Sequence, residues 1–412
     1  MIGKLLIATV LTLLVSTSSA QERPDLSGSW LGVIVLDAAD KSAQVPFGLA
    51  VRTARGVPSE LIIQTSDDRI VVKEIEQHGD SVTFKMPVFI SEFTFTAKGD
   101  SLVGYYYPKG KGKGISYPFY ALKGVTDRFP WHTASPQASI GGRWKYIVNP
   151  NTPAADTLVA EFRQQGARFT GTILVPTGDM RFLEGKIAGT KFYMSGFDGG
   201  RASVFTADIT SASRIENGRM MLSPTYKPAW IAMKDDKAKI AESKDLIRLK
   251  KGINTFKFTV KDMGGNTFTS DDPSLKGKVL VVLASGSWCP NCLDETRLYE
   301  SLYQKYKGKG LAVVSLMFEE NDLENSKYRM QRFISQTGAT YPFLYAGPRS
   351  KKNKDEVLYP VEGVVAFPTS FFIDKKGVIR NVHTGFSGPS TGQHYTNLVE
   401  EVTRQIEALL GE

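Results

Sequence analysis

Both cysteines of the 412-residue chain lie in one hexapeptide, Ser287-Trp288-Cys289-Pro290-Asn291-Cys292. Two thiols separated by two residues can pass two electrons by opening and closing a disulfide. A strand-like run, Val279 to Ala284, leads into the pair, and a helical pattern from Pro290 to Lys307 leads out. The pair therefore falls at a strand-to-helix turn. There the helix N-terminus and the partner thiol lower the first cysteine's pKa from ~8.5 towards ~3.5–7.5. Cys289 is thus the expected nucleophile, exposed at the first turn. Cys292, one helical turn on and on the same face, is the expected resolving thiol. Two blander uses of the pair fare worse. Zinc usually takes four ligands, and neither a second cysteine pair nor a histidine cluster lies nearby, so no metal is expected. A purely structural disulfide closing so short a loop would constrain the unfolded chain little. Redox chemistry is what the spacing and its context favour.

The elements needed to position the pair can be read around it. Thr255–Val260 and Thr267–Thr269 form an introductory hairpin about Gly264-Gly265. The Val279 strand, the redox helix, the strand Leu311–Leu316 and a polar helix from about Asp322 to Thr337 follow. Then come Tyr341–Tyr345, a basic excursion over 347–356, the strand Ser370–Ile373, a turn at Lys375-Lys376-Gly377 and the strand Val378–Val382. A closing helix carries Tyr395, Leu398, Val399, Val402, Ile406 and Leu409 at helical spacing. Trp-Cys-x-x-Cys after a strand, followed by Phe367-Pro368-Thr369 before the Ser370 strand, resembles the thioredoxin superfamily. Gly286 to Glu295 resembles its exported TlpA/ResA-type thiol–disulfide oxidoreductases, and Val382-His383-Thr384-Gly385-Phe386-Ser387-Gly388-Pro389 resembles a subgroup of them. This likeness covers about 252–412 and implies a thioredoxin-like α/β domain. It also implies a cis peptide before Pro368 and a substrate groove formed by Trp288, Phe367, Pro368 and Thr369.

Glu295 shares a helix face with Cys292, Leu298 and Tyr299, which puts a carboxyl on the apolar stripe. The resemblance implies that it handles protons for the active-site thiols. A partly buried carboxyl has the raised pKa this requires. Asp294, beside Asn291 and Arg297, is expected on the wet face.

The remainder of the chain is of another kind. Val82, Phe84, Met86 and Val88 alternate with Thr83, Lys85 and Pro87, and Phe169, Gly171, Ile173 and Val175 repeat the pattern. Gly79-Asp80, Gly99-Asp100 and Gly178-Asp179 supply turns. The expectation is an all-β region of two barrel- or sandwich-like repeats, 21–126 and 138–233, opened by Gly28-Ser29-Trp30 and Gly142-Arg143-Trp144. Leu26-Ser27-Gly28-Ser29-Trp30 and Gly79-Asp80-Ser81-Val82-Thr83-Phe84 resemble small lipocalin-like barrel repeats found fused to exported enzymes, which implies a duplicated lipocalin-like region. A charged linker, 234–251, joins them to the thioredoxin-like domain. Neither the Tyr105-Tyr106-Tyr107 cluster nor the isolated His78 and His132 suggests chemistry. Gly388-Pro389-Ser390-Thr391-Gly392 matches a hydrolase elbow, but no acid lies between it and His394, the last histidine.

Lys4, the apolar Leu5–Val15 and Ser18-Ser19-Ala20 form a signal peptide over 1–20, so an exported, soluble protein is expected, periplasmic if the cell is Gram-negative. A net charge of +9 could suit nucleic acid, but export argues against that partner, and the lysine runs read as solvated loops. Expected partners are protein thiols and disulfides, with an external, membrane-bound electron donor and no cofactor. Three other functions compete. A thiol peroxidase of peroxiredoxin type would show Thr-x-x-Cys where this chain has Ser287-Trp288-Cys289. A copper metallochaperone would want Cys-x-x-x-Cys with a partner histidine, for which His383 is the candidate. A non-enzymatic binding protein would act through the β-rich repeats.

Overall fold

A computed structural model describes residues 25–109, 112 and 114–412. The predicted signal peptide lies outside the described residues. Two all-β units precede an α/β domain.

The first unit is a nine-stranded antiparallel meander. Its first strand, Gly28–Val35, pairs with Gln44–Ala54 on one side and with the last strand, Tyr117–Lys123, on the other. The second unit closes fully. Gly142–Val148 pairs with both Asp156–Gln165 and Ala229–Lys234, and Asp156–Gln165 pairs with Arg168–Val175, leaving no free edge in the ring. One aromatic-rich core, around Phe47, Phe93 and Phe119, fills the first barrel and extends to Phe197, Ala202, Val204 and Met221 of the second, whose interior packs around Trp144, Phe192 and Trp230. Full burial of each such side chain contributes ~1.5–3 kcal/mol.

The two barrels repeat one local device. Trp30 Nε1 donates to the Leu26 carbonyl (3.0 Å), and Trp144 Nε1 to the Ile140 carbonyl (2.7 Å). Each indole lies under a lysine from the last strand of its barrel, Lys123 or Lys234, 5.4 Å from the ring centroid in both cases. The registers agree, Trp30 opposite Lys123 and Trp144 opposite Lys234. Gly28 and Gly142, with φ of +112° and +102°, begin the two strands. The two barrels therefore share one local plan at their opening strands.

In the α/β domain Val279–Ser285 is central. It runs parallel to Leu311–Glu319 and antiparallel to Thr369–Ile373. Val279, Val281 and Leu283 face the redox helix (Pro290–Tyr306) and the closing helix (Gln393–Gly411), whereas Leu280, Val282 and Ala284 face a second layer with Phe256, Phe258 and Leu358. A strand covered on both faces explains the unbroken apolar run. The domain reaches further back than expected. Within the charged segment, Ser243–Leu246 is helical and Ile247–Leu249 pairs with Val361–Gly363, so the link proper spans 235–242.

Candidate active site

The chain is held tightly before it reaches the cysteines. Glu319, at the end of the neighbouring strand, accepts bonds from the Ser287 N–H (2.8 Å) and Oγ–H (2.7 Å). Burial pushes the Glu319 pKa up, against the pull of the two Ser287 bonds. Trp288 Nε1 donates to the Phe318 carbonyl (2.8 Å). Cys289 then caps the redox helix with extended backbone (φ −101°, ψ 114°), and Pro290 takes the first helical position, where its missing N–H costs nothing.

Cys289 and Cys292 are joined in a disulfide. The Cys292 N–H donates to Cys289 Sγ (3.2 Å), which lies 3.6 Å from the Phe367 carbonyl oxygen. The Phe367–Pro368 peptide is cis. The Trp288 and Phe367 rings meet edge-on with centroids 5.4 Å apart. Thr369 Oγ1 donates to the Ala366 carbonyl (2.7 Å) and lies 2.9 Å from Thr384 Oγ1, which fastens the loop that carries Pro368. Phe367 thus lies at the disulfide with Trp288 beside it, whereas Pro368 and Thr369 are buried behind them. Cys289 departs from expectation in being only 4% exposed, with Cys292 wholly buried.

Glu295 is 1% exposed. Its Oε1 accepts a bond from Ser370 Oγ (2.7 Å), and its Oε2 has no partner among the described residues. Burial pushes its pKa up to about 8, with only the Ser370 bond pulling down. A carboxyl in that range can take or give a proton near neutral pH.

Asp294 is corrected: it is buried, 6% exposed. Helical spacing does point it away from the core of its own domain, but the second barrel covers that side. Arg181 Nη1 donates to Asp294 Oδ2 (2.6 Å) and to the Pro290 carbonyl (3.0 Å), while its Nη2 reaches Asp68 of the first barrel (3.2 Å). Burial pushes Asp294 up to about 6, against Arg181 and Arg297. Burial also opposes the charge of Arg181, but Asp294, Asp68, Asp198 and Asp179 together more than offset this and hold its pKa above the ordinary value.

Two sequence features acquire a different meaning here. Gly178-Asp179, read as an ordinary turn, is buried. Asp179 accepts bonds from the Gly388 N–H (2.7 Å), Ser390 Oγ–H (2.8 Å) and Arg181 N–H (2.6 Å). The Gly388–Gly392 run is therefore a domain contact and no hydrolase elbow. Sequence reasoning missed Arg181, Asp179, Asp68 and Glu319, whose partners are remote in the chain and leave no local signature.

Comparison with known proteins agrees with this geometry. The Redoxin family model matches residues 250–398. Thiol-disulfide oxidoreductase ResA of Bacillus anthracis is 32% identical over 122 residues, which are 30% of this chain and 62% of the relative. The chain thus spans under two thirds of the length of that relative. Thioredoxin-like protein YneN of Bacillus subtilis is 29% identical over 143 residues, 35% of this chain and 76% of YneN. Among solved structures, a thioredoxin-family thiol:disulfide interchange protein from Chlorobium tepidum is similar at 23% identity, covering 40% of this chain and 97% of its own, with a TM-score of 0.30. The carboxy-terminal domain is a redoxin domain of the thioredoxin superfamily. Over these residues it is similar to thiol-disulfide oxidoreductase ResA and to YneN.

Proposed function

We propose that the protein is an exported thiol–disulfide oxidoreductase that reduces disulfides of exported proteins through Cys289 and Cys292. The observation that carries this reading is the disulfide at the cap of the redox helix, with Cys289 Sγ against the Phe367 carbonyl and the buried Glu295 carboxyl one turn beyond Cys292. The Cys289 thiolate attacks a target disulfide, forming a mixed disulfide and releasing the first target thiolate, which takes up a proton. Cys292 loses its proton to the Glu295 carboxylate and attacks Cys289 Sγ. The second target thiolate leaves and is protonated. The target gains two electrons and two protons, and Cys289–Cys292 is left oxidised. An external donor of two electrons must then restore the dithiol.

Trp288 and Phe367 flank the groove in which the target strand lies, backbone groups beside Pro368 hold it, and the buried Thr369 fastens that loop from behind. The ResA relatives are named thiol-disulfide oxidoreductases, which supports the same chemistry here. Export rests on the Lys4, Leu5–Val15 and Ser18-Ser19-Ala20 pattern. Among the described residues no helix is long and apolar enough to cross a membrane.

The test is insulin-disulfide reduction with dithiothreitol as donor, set beside peroxide consumption. Insulin reduction that is lost in Cys289→Ser, with no peroxide turnover, supports the reading. Peroxide turnover without insulin reduction moves the protein to the peroxidases.

A further inference from the structure

The turn between Val175 and Leu183 of the second barrel is spent on the other domain. A Cβ added at Gly385, whose φ of +85° already favours glycine, would sit 2.7 Å from Thr177 backbone atoms. A Cβ added at Gly178 would collide with the Asn291 side chain, between the two cysteines. Asp179 takes hydrogen bonds from Gly388 and Ser390, and Arg181 grips the Pro290 carbonyl and Asp294. Four residues of one barrel turn thus press on the first turn of the redox helix and on the 385–390 loop. Pro290 and Asp294 are buried, and Arg181 holds both. Beside Cys289, Trp288 and Phe367 form a half-buried edge, while Asn291, also half-buried, lies against Gly178 of the barrel turn.

We propose that the Thr177–Arg181 turn is a wall of the active site, with Arg181 as its positioning residue, and that it selects disulfides carried on a narrow, extended segment over those in compact proteins. The inference rests on the dithiol reaction proposed above, and adds which disulfides reach Cys289. A substrate entering over Trp288 and Phe367 can lay one extended strand along the cis-proline loop. A globular substrate brings bulk to both sides of its disulfide, and on the Asn291 side that bulk meets the barrel. Opening the wall removes this discrimination. In Arg181→Gln the buried Asp294 loses its nearer cation and keeps only Arg297, at 3.5 Å, and a buried carboxylate so weakly paired draws in water. The buried barrel cores include none of Thr177, Gly178, Asp179 or Arg181, and only Met180 of the turn packs on one of them, so the residues that face the helix can withdraw without either barrel unfolding. Ser390→Ala removes only one of the three bonds to Asp179 and is the milder opening.

The experiment measures kcat/KM of the full chain, with dithiothreitol as donor, for two substrates: a disulfide-linked dimer of short linear peptides, and insulin. Wild type prefers the peptide dimer. Arg181→Gln is expected to shrink that preference at least fivefold, and Ser390→Ala about twofold. Circular dichroism verifies folding, and if Arg181→Gln fails to fold, Ser390→Ala decides. A preference unchanged in the folded variants, including one in which both rates fall by the same factor, overturns the wall. Wild type reducing neither substrate instead refutes the dithiol reaction itself, so the two failures are distinguishable.

Discussion

Glu295→Gln should change how the stability of the oxidised protein depends on pH, and the structure sets the size. The carboxyl is 1% exposed with one oxygen unpartnered among the described residues, and burial raises its pKa from 4.5 to about 8. Between these two values the folded protein keeps a proton that the unfolded chain has released. Stability is therefore full below about pH 4.5, falls as pH rises, and has lost this contribution once pH passes 8. A shift of roughly 3.5 units at ~1.36 kcal/mol each gives a ceiling on the order of 5 kcal/mol. Water entering the site lowers it. Glutamine keeps an acceptor for Ser370 Oγ and carries no titratable proton, so the variant lacks this slope while sharing every other titration. The assay is hydrogen exchange of redox-helix amides in peptides spanning 290–306, with urea, at pH 5, 7 and 9, which separates this domain from the barrels. After correction for intrinsic exchange, wild type should lose several kcal/mol more than Glu295→Gln between pH 5 and 9. Parallel pH dependences would refute the reasoning and make Glu295 an ordinary buried acid.

Other outcomes can be checked alongside. Alkylation of the reduced protein near pH 7 should modify Cys289 well before Cys292, read by peptide mass spectrometry; equal rates contradict the assigned division of labour. Asp294→Ala leaves Arg181 buried without its nearest carboxylate, and loss of one partner of a buried pair costs about 3–5 kcal/mol. This should appear as faster hydrogen exchange across 177–181 and 290–294 with little change in the barrel strands. Trp30→Phe and Trp144→Phe each delete one indole hydrogen bond, net ~0.5–1.5 kcal/mol, and should lower the melting of their own barrels by similar amounts. Strongly unequal effects argue against a shared device.

Much of the architecture is legible because it is local. The continuous Val279–Ala284 run, the helical spacing of Leu398, Val402, Ile406 and Leu409, and the alternation around Phe84 each report the period and burial of one element. Glu295 is legible for the same reason, since its place on the helix stripe fixes its burial. Asp294 is not. The same periodicity turns it outward from the domain core, and only the docking of a barrel far away in sequence buries it. Gly178-Asp179 and Gly388–Gly392 carry ordinary turn chemistry, so nothing nearby reveals that they meet each other. Ile247–Leu249 is hidden among lysines because its partner strand, Val361–Gly363, lies over a hundred residues on. Contacts between domains are what a single sequence conceals here, and the flank of the disulfide is made of them.

In the proposed cycle Cys289 attacks a target disulfide and Cys292 resolves the product. The most direct measurement is to react reduced Cys292→Ser with a disulfide-bonded peptide, quench with acid and locate the adduct by mass spectrometry. The predicted result is a stable mixed disulfide on Cys289 in this variant, absent from wild type, where Cys292 clears it, and from Cys289→Ser. An adduct that instead accumulates on Cys292 in Cys289→Ser, with none on Cys289 in Cys292→Ser, would contradict the account.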